Sequence, residues 1–561
     1  MNRRNFIHLG VAGGVLTAFP TLAACSNKQS PKSKELSADL VVAGGGLGGC
    51  TSALSALRNG LSVILTEETD WIGGQLTSQG VPTDEHRWIE TYGAPKSYLD
   101  FRIKARQFYM RNYPLTEAAR ARQFLNPGDG FVSRLCFEPR IAQTVIYEFL
   151  EPYISSGRLT LLLQYKAVSA DVTSNRVRAL KVAHVCTKDE IVLTAPFFVD
   201  ATELGDLLPM TGTEYVTGAE SKSETRELHA PEVGCPKNQQ AFTHCFAMDY
   251  DKNGNHLIEK PAEYDFWRNY VPDISPPWSG NLLSLWYSNP ATLEPRMLDF
   301  HPEGISTGNL LNWWNYRRII NKNNFLPGTY VGDITIVNWP QNDYMLGNLD
   351  GTEQEFNHHV ARAKQLSLSL FYWLQTEVPR PDGGQGWPGL RLRGDVMGTS
   401  DGLAKYPYVR EARRIKALFT ILEEHVGKEN RKIVSGEDTA ADFYDSVGIG
   451  YYHIDLHPST GGNNYIDFPS LPFQIPLGAL IPQRMENLLP ANKNIGTTHI
   501  TNGCYRLHPV EWSIGEAVGM LSAFALKKNT TPRAVRETPN LLAEFQQMIQ
   551  EQGVDLRWRP E

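Results

Sequence analysis

"DLVVAGGGLGGCTSALSALRNGLSVILTEE", residues 39–68, opens with a short apolar run that is typical of a buried parallel strand. A glycine-rich turn follows, then a stretch of small residues suited to a helix, and then a second apolar run that ends in acids. Strand, turn, helix and strand in this order predict a βαβ unit that binds a dinucleotide. The alternative, a glycine-rich turn without a ligand, leaves the flanking strands and the terminal acid unexplained.

Three glycines in this stretch have the G-x-G-x-x-G spacing. Gly44 allows the tight turn, Gly46 lets the backbone approach a pyrophosphate, and Gly49 lets the helix pack closely on the strand. The predicted phosphate-binding loop comprises Gly44, Gly46, Leu47, Gly48 and Gly49.

The acidic end of the second strand is the expected ribose contact. Glu67 follows Gly49 by 18 residues, where a carboxylate can accept the hydroxyls of an adenosine ribose, and Glu68 lies beside it. Because an acid at this place disfavours a 2′-phosphate, NADP is the poorer ligand.

The next segment, "TDWIGGQLTSQG" at residues 69–80, distinguishes FAD from NAD. Paired glycines here let the backbone run beside a long, flat ligand. The segment resembles the one that follows the acid in flavoproteins of the glutathione-reductase-like superfamily, and this resemblance implies FAD. The residues concerned are Gly73, Gly74, Gln75 and Leu76.

Two stretches further along the chain agree with this resemblance. "APFFVDATELGDL", residues 195–207, resembles the strand that crosses beneath the FAD, although Glu203 and Leu204 stand where glycine is commoner. The resemblance implies cofactor contacts at Asp200, Ala201 and Thr202, and contacts to the adenine at Ala167 and Val168.

A third stretch, residues 494–526, resembles the C-terminal flavin motif of the same superfamily. Pro509 is suited to the first turn of a helix whose N-terminus would face the flavin, and Gly515 allows close packing. Helix N–H groups and the charge of Arg506 would stabilise the negative charge of reduced flavin. The alternative is a small-residue helix that only packs on the sheet.

Four more stretches complete the resemblance to the bacterial FAD-dependent oxidoreductase family, which extends from about residue 39 to 528. They are "SRLCFEPRIA", "NWPQNDYMLGNL", "YPYVREARRI" and "GIGYYHIDLHP". The family implies an α/β fold, a Rossmann-like FAD-binding domain (GR2-type) with a large inserted mixed α+β substrate domain. The expected boundaries are 38–210 and 481–530 for the FAD-binding domain, 211–480 for the insertion and 531–561 for a C-terminal helical tail.

The N-terminus has the features of an export signal. Arg3 and Arg4 precede a weakly apolar stretch typical of a Tat signal, and "LAAC", residues 22–25, resembles a bacterial lipobox. We therefore expect residues 1–25 to be a signal, Cys25 to be lipidated, and residues 26–37 to be a linker. These features predict a protein of the bacterial cell envelope, on the periplasmic side or the cell surface, attached to a membrane surface by its lipid anchor. The alternative is a plain Tat signal with an accidental cysteine.

Composition excludes several other classes of protein. The chain has 561 residues and a mild net charge of −7 without a Lys/Arg run, so we expect no nucleic acid partner. No CxxC motif is present, so we expect no iron–sulfur cluster or zinc knuckle and assign no metal. Cys235 and Cys245 are close enough in sequence to be a candidate disulfide, which spacing alone cannot establish.

Histidines near the family stretches are candidate proton carriers, because histidine titrates near neutral pH. His508 adjoins Arg506 ahead of the flavin-facing helix and is the first candidate for the acid or base. His457 is the second, since alternation in a strand would place Asp455 on the same side to orient it; His499 is the third. For each one a structural role is the alternative.

The segment "YVREARRI" contributes an arginine. It has the pattern of a helix start in which Arg410 meets the carboxylate of Glu411. Arg410 would either bind an anionic substrate or line the flavin; the alternative is a buried ion pair that joins the domains.

The leading functional hypothesis is an exported flavoenzyme that oxidises a small polar organic substrate by hydride transfer to flavin N5. Trp, Tyr and Asn are frequent in the insertion, which suits a sugar or polyol, although interior packing explains them nearly as well. The electron acceptor or donor is left open. The alternatives are a reductase of the fumarate-reductase type and a glycan-binding surface lipoprotein that keeps FAD as a structural element.

Overall fold

The structure is a computed structural model that describes residues 34–559; the predicted signal, Cys25 and most of the linker lie outside this range. The strands of the described range are β1 (Lys34–Ser37), β2 (Leu40–Ala43), β3 (Val63–Glu67), β4 (Leu159–Leu163), β5 (Tyr165–Thr173), β6 (Arg176–His184), β7 (Glu190–Thr194), β8 (Phe197–Asp200), β9 (Tyr215–Val216), β10 (Phe242–Thr243), β11 (Phe246–Tyr250), β12 (Trp286–Ser288), β13 (Pro295–Met297), β14 (Arg318–Ile320), β15 (Ile334–Val337), β16 (Asp343–Tyr344), β17 (Leu390–Leu392), β18 (Arg414–Ile415), β19 (Ser446–Gly450), β20 (Ile454–Leu456), β21 (Ile466–Phe468), β22 (Phe473–Pro476) and β23 (Leu488–Pro490).

The α-helices of the same range connect and cover these strands. They are α1 (Leu47–Arg58), α2 (Lys96–Asn112), α3 (Glu117–Arg120), α4 (Pro139–Ser155), α5 (Leu207–Thr211), α6 (Lys222–Thr225), α7 (Tyr264–Asn269), α8 (Trp313–Tyr316), α9 (Glu353–Thr376), α10 (Gly394–Met397), α11 (Glu423–Val426), α12 (Lys428–Ser435), α13 (His499–Tyr505), α14 (His508–Lys528), α15 (Pro532–Glu537) and α16 (Pro539–Glu551). None of these helices is long and apolar enough to span a bilayer.

A parallel five-stranded sheet in the order β23-β8-β2-β3-β4 forms the centre of the first domain. Its central strand β2 is apolar and fully buried, as parallel sheets covered on both faces require. Strand β23 reaches this sheet from the far end of the chain, so two distant parts of the sequence build one domain. The predicted fold class, a Rossmann-like domain interrupted by an insertion, is confirmed.

A second, four-stranded sheet in the order β1-β7-β6-β5 lies beside the central one. Strands β5, β6 and β7 form an antiparallel meander, and β1 pairs with β7 in parallel. Residues 34–37, which the sequence suggested as the end of the linker, are therefore an ordered edge strand. Their polar composition suits an edge, because one side of such a strand faces solvent.

The inserted region has a second, aromatic core that includes the long helix α9 and part of the antiparallel sheet β14-β15-β11-β17, whereas Ile334 and Ile336 of this sheet belong to the main core. Trp267, Trp314 and Trp339 are among the fully buried side chains of the aromatic core. Most buried apolar side chains between Ile421 and Ile481 belong to the main core, although Tyr465 packs in the aromatic core, so β19, β20 and β22 lie against the first domain before residue 481.

Helices α1 and α14 pack directly on each other behind the glycine loop. The Thr51 and Ser55 hydroxyls donate to main-chain carbonyls of Trp512 and Glu516, at 3.2 Å and 2.9 Å. The C-terminal helices α15 and α16 follow, with Phe545 buried in the main core.

Candidate functional site

The glycine loop between β2 and α1 forms one wall of a narrow cleft. Gly44 has φ +97°, and a Cβ there would lie 2.3 Å from the Ala201 carbonyl oxygen, so only glycine fits. Gly46 precedes α1, and no side chain caps the helix from this position. In the first turn the Gly48 N–H donates to Glu511, and we expect the N–H groups of Leu47 and Gly49 to face a phosphate.

Glu67 and Glu68, at the end of β3, line the same cleft. Glu67 accepts the Gly45 N–H at 2.9 Å and the Thr69 N–H at 2.8 Å, which ties the loop to the strand. Burial raises the pKa of Glu67 to about 7. Burial, followed by the charge of Glu67, raises the pKa of Glu68 to about 8. Both carboxyls are thus held where ribose hydroxyls could donate to them.

All the predicted cofactor residues except Val168 and Arg506 fall into two groups. Those that line the cleft are Gly44, Gly46, Glu67, Glu68, Gly74, Ala167, Ala201 and Thr202. The second group consists of buried residues that do not line the cleft: Leu47, Gly48, Gly49, Gly73, Gln75, Leu76, Asp200 and Gly515.

The buried group supports the cleft through packing and hydrogen bonds. Asp200 accepts the Thr202 hydroxyl at 2.7 Å and the Leu207 N–H at 3.0 Å, which fixes the turn after β8. Gly515 lies against the Gly48 carbonyl, where a Cβ would come within 2.1 Å. Gly515 thus allows α14 to pack closely on α1, as expected for a glycine at this position.

Val168 lies away from the cleft, in contrast to the expectation from the family. Its side chain is 39% exposed and is not among the lining residues. The register of β5 shifts between Ala167 and Ser169, and such a bulge changes the direction in which a side chain points. Tyr165 and Lys166 line the cleft beside Ala167 instead.

A buried ionic network closes the helix end of the cleft. Lys493 lies 2.5 Å from Glu203 Oε2 and 3.7 Å from Glu511 Oε2, and Glu511 accepts the Gly48 N–H at 3.0 Å. Lys493 compensates Glu203, the acid that stands where the family commonly has glycine. The sequence did not indicate Lys493, because its partners are distant along the chain.

These residues fit an adenine dinucleotide such as FAD. Two buried oxygens of cleft residues, Gln79 Oε1 and Glu203 Oε1, have no hydrogen-bond partner and are free to accept from hydroxyl or amino groups. These oxygens would be acceptors for the nucleoside, and the first-turn N–H groups of α1 other than that of Gly48 would be donors for the phosphates.

A second cavity of about 300 Å³, which we call the redox pocket, lies at the insertion side of the molecule. Its walls combine aromatic rings, cations and carboxylates. The ionisable and aromatic lining residues are Asp84, Tyr287, Arg296, Trp313, Tyr316, Arg317, Tyr408, Arg410, Tyr452, His453, Asp455, His457, Tyr465, Asp467 and Arg506.

One extended segment connects the two cavities. Tyr406 lines the cleft, whereas Tyr408 and Arg410 line the redox pocket. The predicted helix start in this segment is wrong: Tyr408 pairs with Thr243 in a β-bridge, donating to its carbonyl at 2.8 Å. Alternate residues of this extended segment thus reach both sites.

Arg506 lines the redox pocket and is buried, as its predicted role requires. It donates to the Tyr408 hydroxyl at 2.8 Å and to Asp455 Oδ2 at 3.0 Å. Burial opposes ionisation of Asp455, but His457 and Arg506 outweigh it and hold the pKa of this carboxyl below its usual range. Asp455 and Arg506 therefore form a buried ion pair in the wall.

His453 and Asp467 lie beside Asp455 at the mouth of the pocket, and ligand atoms of the three residues fall within 4.8 Å of one another. Burial, with the neighbouring Asp455, raises the pKa of Asp467 to about 6. Since Arg506 already neutralises Asp455, we assign no metal ion to this group.

His457 lines the pocket, but its close carboxylate is Asp343 rather than the expected Asp455. Its Nδ1 lies 2.5 Å from Asp343 Oδ2, and its Nε2 lies 3.8 Å from Asp455 Oδ2. Asp343 also pairs with Arg410, whose Nη2 is 3.0 Å from Oδ1. Asp343 is a site residue that sequence reasoning missed, although it belongs to the family stretch "NWPQNDYMLGNL".

Arg410 does not pair with Glu411. Glu411 instead contacts Arg414 and His499, whose Nδ1 lies 2.9 Å from the carboxylate. His499 is buried in this network and does not line the redox pocket, so its role here is structural.

His508, the first candidate for the acid or base, does not line the pocket either. It is fully buried, and its Nδ1 accepts the Asp84 N–H at 3.0 Å. Burial lowers the pKa of His508 to about 4, so the ring is neutral near pH 7. The ring thus holds the segment that carries Asp84 into the pocket wall.

The candidate disulfide is absent from the described residues. Cys235 is exposed, Cys245 is buried, and both are free thiols. Cys245 lies within the strand region that packs in the main core, whereas Cys235 is on a surface loop.

Solved structures that are similar to this chain have low TM-scores. The p-nitrophenol 4-monooxygenase of Pseudomonas putida has a TM-score of 0.35 and 10% identity, over 93% of this chain and 95% of its own. A geranylgeranyl bacteriochlorophyll reductase-like protein of Thermoplasma acidophilum has a TM-score of 0.32 and 10% identity, over 93% and 85%. The L-proline dehydrogenase of P. horikoshii has a TM-score of 0.18 and 15% identity, and this chain spans only 25% of its length. Likenesses at this level say nothing about substrate.

Comparison with curated proteins returned no match. The sequence model of one family matches residues 39–549, nearly the whole described range. That span includes the glycine loop, the acids that end β3, and the redox pocket. The chain therefore belongs to the FAD dependent oxidoreductase family.

Proposed function

We propose that this protein uses FAD to oxidise a small polar organic substrate, such as a sugar or polyol, in the redox pocket. The observation that carries the proposal is the extended segment whose Tyr406 lines the nucleotide cleft while Tyr408 and Arg410 line the pocket. The glycine loop, Glu67 and Glu68 would hold the adenosine end of FAD in the cleft, and the segment from Tyr406 to Arg410 would connect that site to the pocket in which the substrate is oxidised.

The residues divide the work between binding and chemistry. The glycine loop and the acids after β3 would hold the adenosine diphosphate part of the cofactor. Bound FAD supplies a two-electron acceptor that takes a hydride at N5. Arg506 offers a buried positive charge that favours the reduced, anionic form of the cofactor.

The lining of the redox pocket supports a polar ring as substrate. Aromatic faces stand beside amide groups, among them those of Asn289 and Asn338. Rings of this kind stack on the apolar face of a polar ring, while amides and carboxylates bind its hydroxyls. A cavity of about 300 Å³ is at the small end of ligand sites, so the substrate, or its reacting part, is small.

Four arginines in the same lining support a second candidate, a reductase that acts on an unsaturated carboxylate. Arg317, Arg410 and Arg506 each keep a buried Nε–H without a partner, and guanidinium groups bind carboxylates well. The fourth arginine is Arg296.

Anaerobic mixing of the purified holoprotein with candidate substrates tests the proposal. Loss of flavin absorbance on addition of a sugar or polyol supports the oxidase or dehydrogenase direction. Reoxidation of chemically reduced protein by an enoate supports the reductase instead. A flavin that responds to neither, in a protein that still binds a glycan, would favour a structural role for FAD.

We also propose that the protein acts at the bacterial cell envelope, attached through lipid at Cys25 after Tat export. The support is the sequence of residues 1–25. Fractionation of cells that produce wild type or Cys25→Ser tests this proposal: wild type should sediment with membranes and the variant should not.

A further inference from the structure

We propose that His457 is the group that takes the substrate proton, and that Asp343, held by Arg410, is the positioning residue that orients it. This inference rests on the proposed oxidation in the redox pocket. Asp343 and His457 are far apart in the sequence and come into contact only in the folded protein.

The position of Asp343 is fixed from three sides. Its side chain is fully buried, and it contacts Arg410, His457 and the Thr243 hydroxyl. Arg410 is itself fixed by donating to the Ala241 carbonyl at 2.8 Å and to Thr243 Oγ1 at 2.9 Å. A buried carboxylate with these partners stays ionised and rigid, which is what an orienting group requires.

The contact with Asp343 determines which nitrogen of His457 is free. An ionised carboxylate only accepts hydrogen bonds, so the Nδ1 atom of neutral His457 carries the proton and donates it. The lone pair then lies on Nε2, and the His457 side chain lines the pocket with 19% of its surface exposed. Asp455 Oδ2 is 3.8 Å from Nε2, too far to block it by a hydrogen bond but close enough to stabilise an imidazolium.

The proposed step is balanced in atoms and electrons. The substrate C–H bond breaks and its hydride, two electrons and a proton, passes to FAD. The substrate O–H bond breaks and its proton passes to Nε2 of His457, while the C–O bond becomes a carbonyl. The pocket thus ends with a ketone or aldehyde, reduced flavin and imidazolium, and Asp343 stays unprotonated throughout.

The charges that face His457 give the pair a distinctive pH signature. They are Arg410 on the extended segment, Asp343 on β16 and Asp455 on β20, with the Tyr465 ring 5.5 Å away. Burial and Arg410 lower the pKa of His457, and the two carboxylates raise it; the net effect is a pKa below the usual value. Only neutral His457 can accept a proton. A plot of kcat/KM against pH should therefore show an acid limb, a loss of activity as the pH falls, with its midpoint below pH 6.5.

Two variants should move this limb in opposite directions. Asp343→Asn removes a negative charge, so the limb should shift to lower pH, and Arg410→Met removes a positive charge, so it should shift to higher pH. A purely structural role would not give opposite shifts. Asp343→Asn should also lower the rate of flavin reduction by substrate, by up to the roughly 10²- to 10⁴-fold that a general base contributes.

His457→Gln provides the variant that keeps the Arg410–Asp343 pair intact if Asp343→Asn fails to fold. Its rate of flavin reduction by substrate should fall by a similar factor. The double variant, with Asp343→Asn and His457→Gln together, should be no slower than His457→Gln alone, because the two residues act as one unit. His229→Gln is the matched control, since His229 also pairs with a carboxylate, Glu423 at 2.8 Å, but lies outside the redox pocket. It should keep the wild-type rate.

Nitrogen NMR of histidine-labelled wild type gives a readout that does not depend on activity. The His457 signal, assigned by its loss in His457→Gln, should report the Nδ1–H tautomer. An Nε2–H tautomer, a wild-type rate in His457→Gln, or an unshifted acid limb in folded Asp343→Asn would overturn the inference. If wild type binds FAD but no substrate reduces it, the proposed function fails instead, and the tautomer measurement still tests the geometry.

Discussion

The Gly48 N–H, in the first turn of α1, donates to Glu511 Oε1 in the first turn of α14 at 3.0 Å. The two residues are separated by 463 positions in the chain. The start of α1 is thus fixed by a carboxylate from α14, near the C-terminal end of the chain. Because this contact joins the two parts of the split domain, we expect cofactor binding to depend on both.

Substitution of Gly515 should disturb this junction. In Gly515→Val the new Cβ would come within 2.1 Å of the Gly48 carbonyl, so α1 and α14 must separate. We expect a loss of at least about 1–3 kcal/mol in the free energy of unfolding, the usual cost of overpacking, together with weaker FAD binding. Denaturant titration and FAD titration measure the two effects.

Lys527→Val, at the exposed end of the same helix, is the matched control. It introduces the same side chain without a backbone clash and should cost less than about 1 kcal/mol. Equal stability of Gly515→Val and wild type would contradict the packing account.

Much of the nucleotide cleft could be predicted from the sequence, because its residues act through short-range spacing. Gly44, Gly46 and Glu67 belong to one βαβ unit, and their order along the chain fixes their positions in space. Val168 was misplaced because a bulge in β5 cannot be read from an apolar pattern.

The redox pocket was harder to predict, since its contacts join distant segments. His508 was the first candidate because it precedes the flavin-type helix, yet that position is buried behind the pocket wall. Asp343 was missed because nothing in its local sequence indicates that it would meet His457 across 114 positions. Of the predicted catalytic set, the pocket contains Arg410, Asp455, His457 and Arg506.

Removal of the buried charge at Arg506 should make the flavin harder to reduce. Arg506→Met deletes the cation that would stabilise anionic reduced flavin, so the two-electron midpoint potential should fall, on the order of 30 mV for each 1.4 kcal/mol lost. Anaerobic reduction against a reference dye measures the potential.

Arg176→Met, a substitution of an arginine on the surface meander, is the control and should leave the potential unchanged. An unaltered potential in Arg506→Met would mean that this arginine does not act on the flavin.

Glu227 should make stability depend on pH. Its carboxyl is buried, with the Thr498 hydroxyl at 2.6 Å, and burial raises its pKa from 4.5 to about 7. Because the folded protein favours the protonated carboxyl, Glu227 contributes its full stabilisation at pH values below the pKa of the unfolded state. This contribution is lost as the pH rises to about 7. Relative to Glu227→Gln, wild type should therefore lose about 3 kcal/mol between pH 4.5 and 7 and change little above.

Thermal and denaturant unfolding of both proteins across this pH range measures the difference. Glu429→Gln, at an exposed helix position, should follow wild type at every pH. A difference between wild type and Glu227→Gln that does not vary with pH would show that Glu227 is not held in its neutral form.

Thiol labelling should separate the cysteines by exposure. Cys186 and Cys235 are exposed and should react with iodoacetamide in the folded protein. The buried cysteines of the described range should react only after denaturation, because burial raises the pKa of Cys136 and of Cys245 to about 12. Peptide mass spectrometry without reductant measures the labelling, and a peptide that links Cys235 to Cys245 would contradict the structure.

The amount of FAD released when purified protein is denatured tests cofactor binding in the cleft most directly. We expect one FAD per chain, with clear loss in Gly46→Val, whose side chain would meet Glu203 and Asn492. Protein that carries no FAD, and takes up none when incubated with the free cofactor, would contradict the cleft, the redox pocket and the function proposed from them.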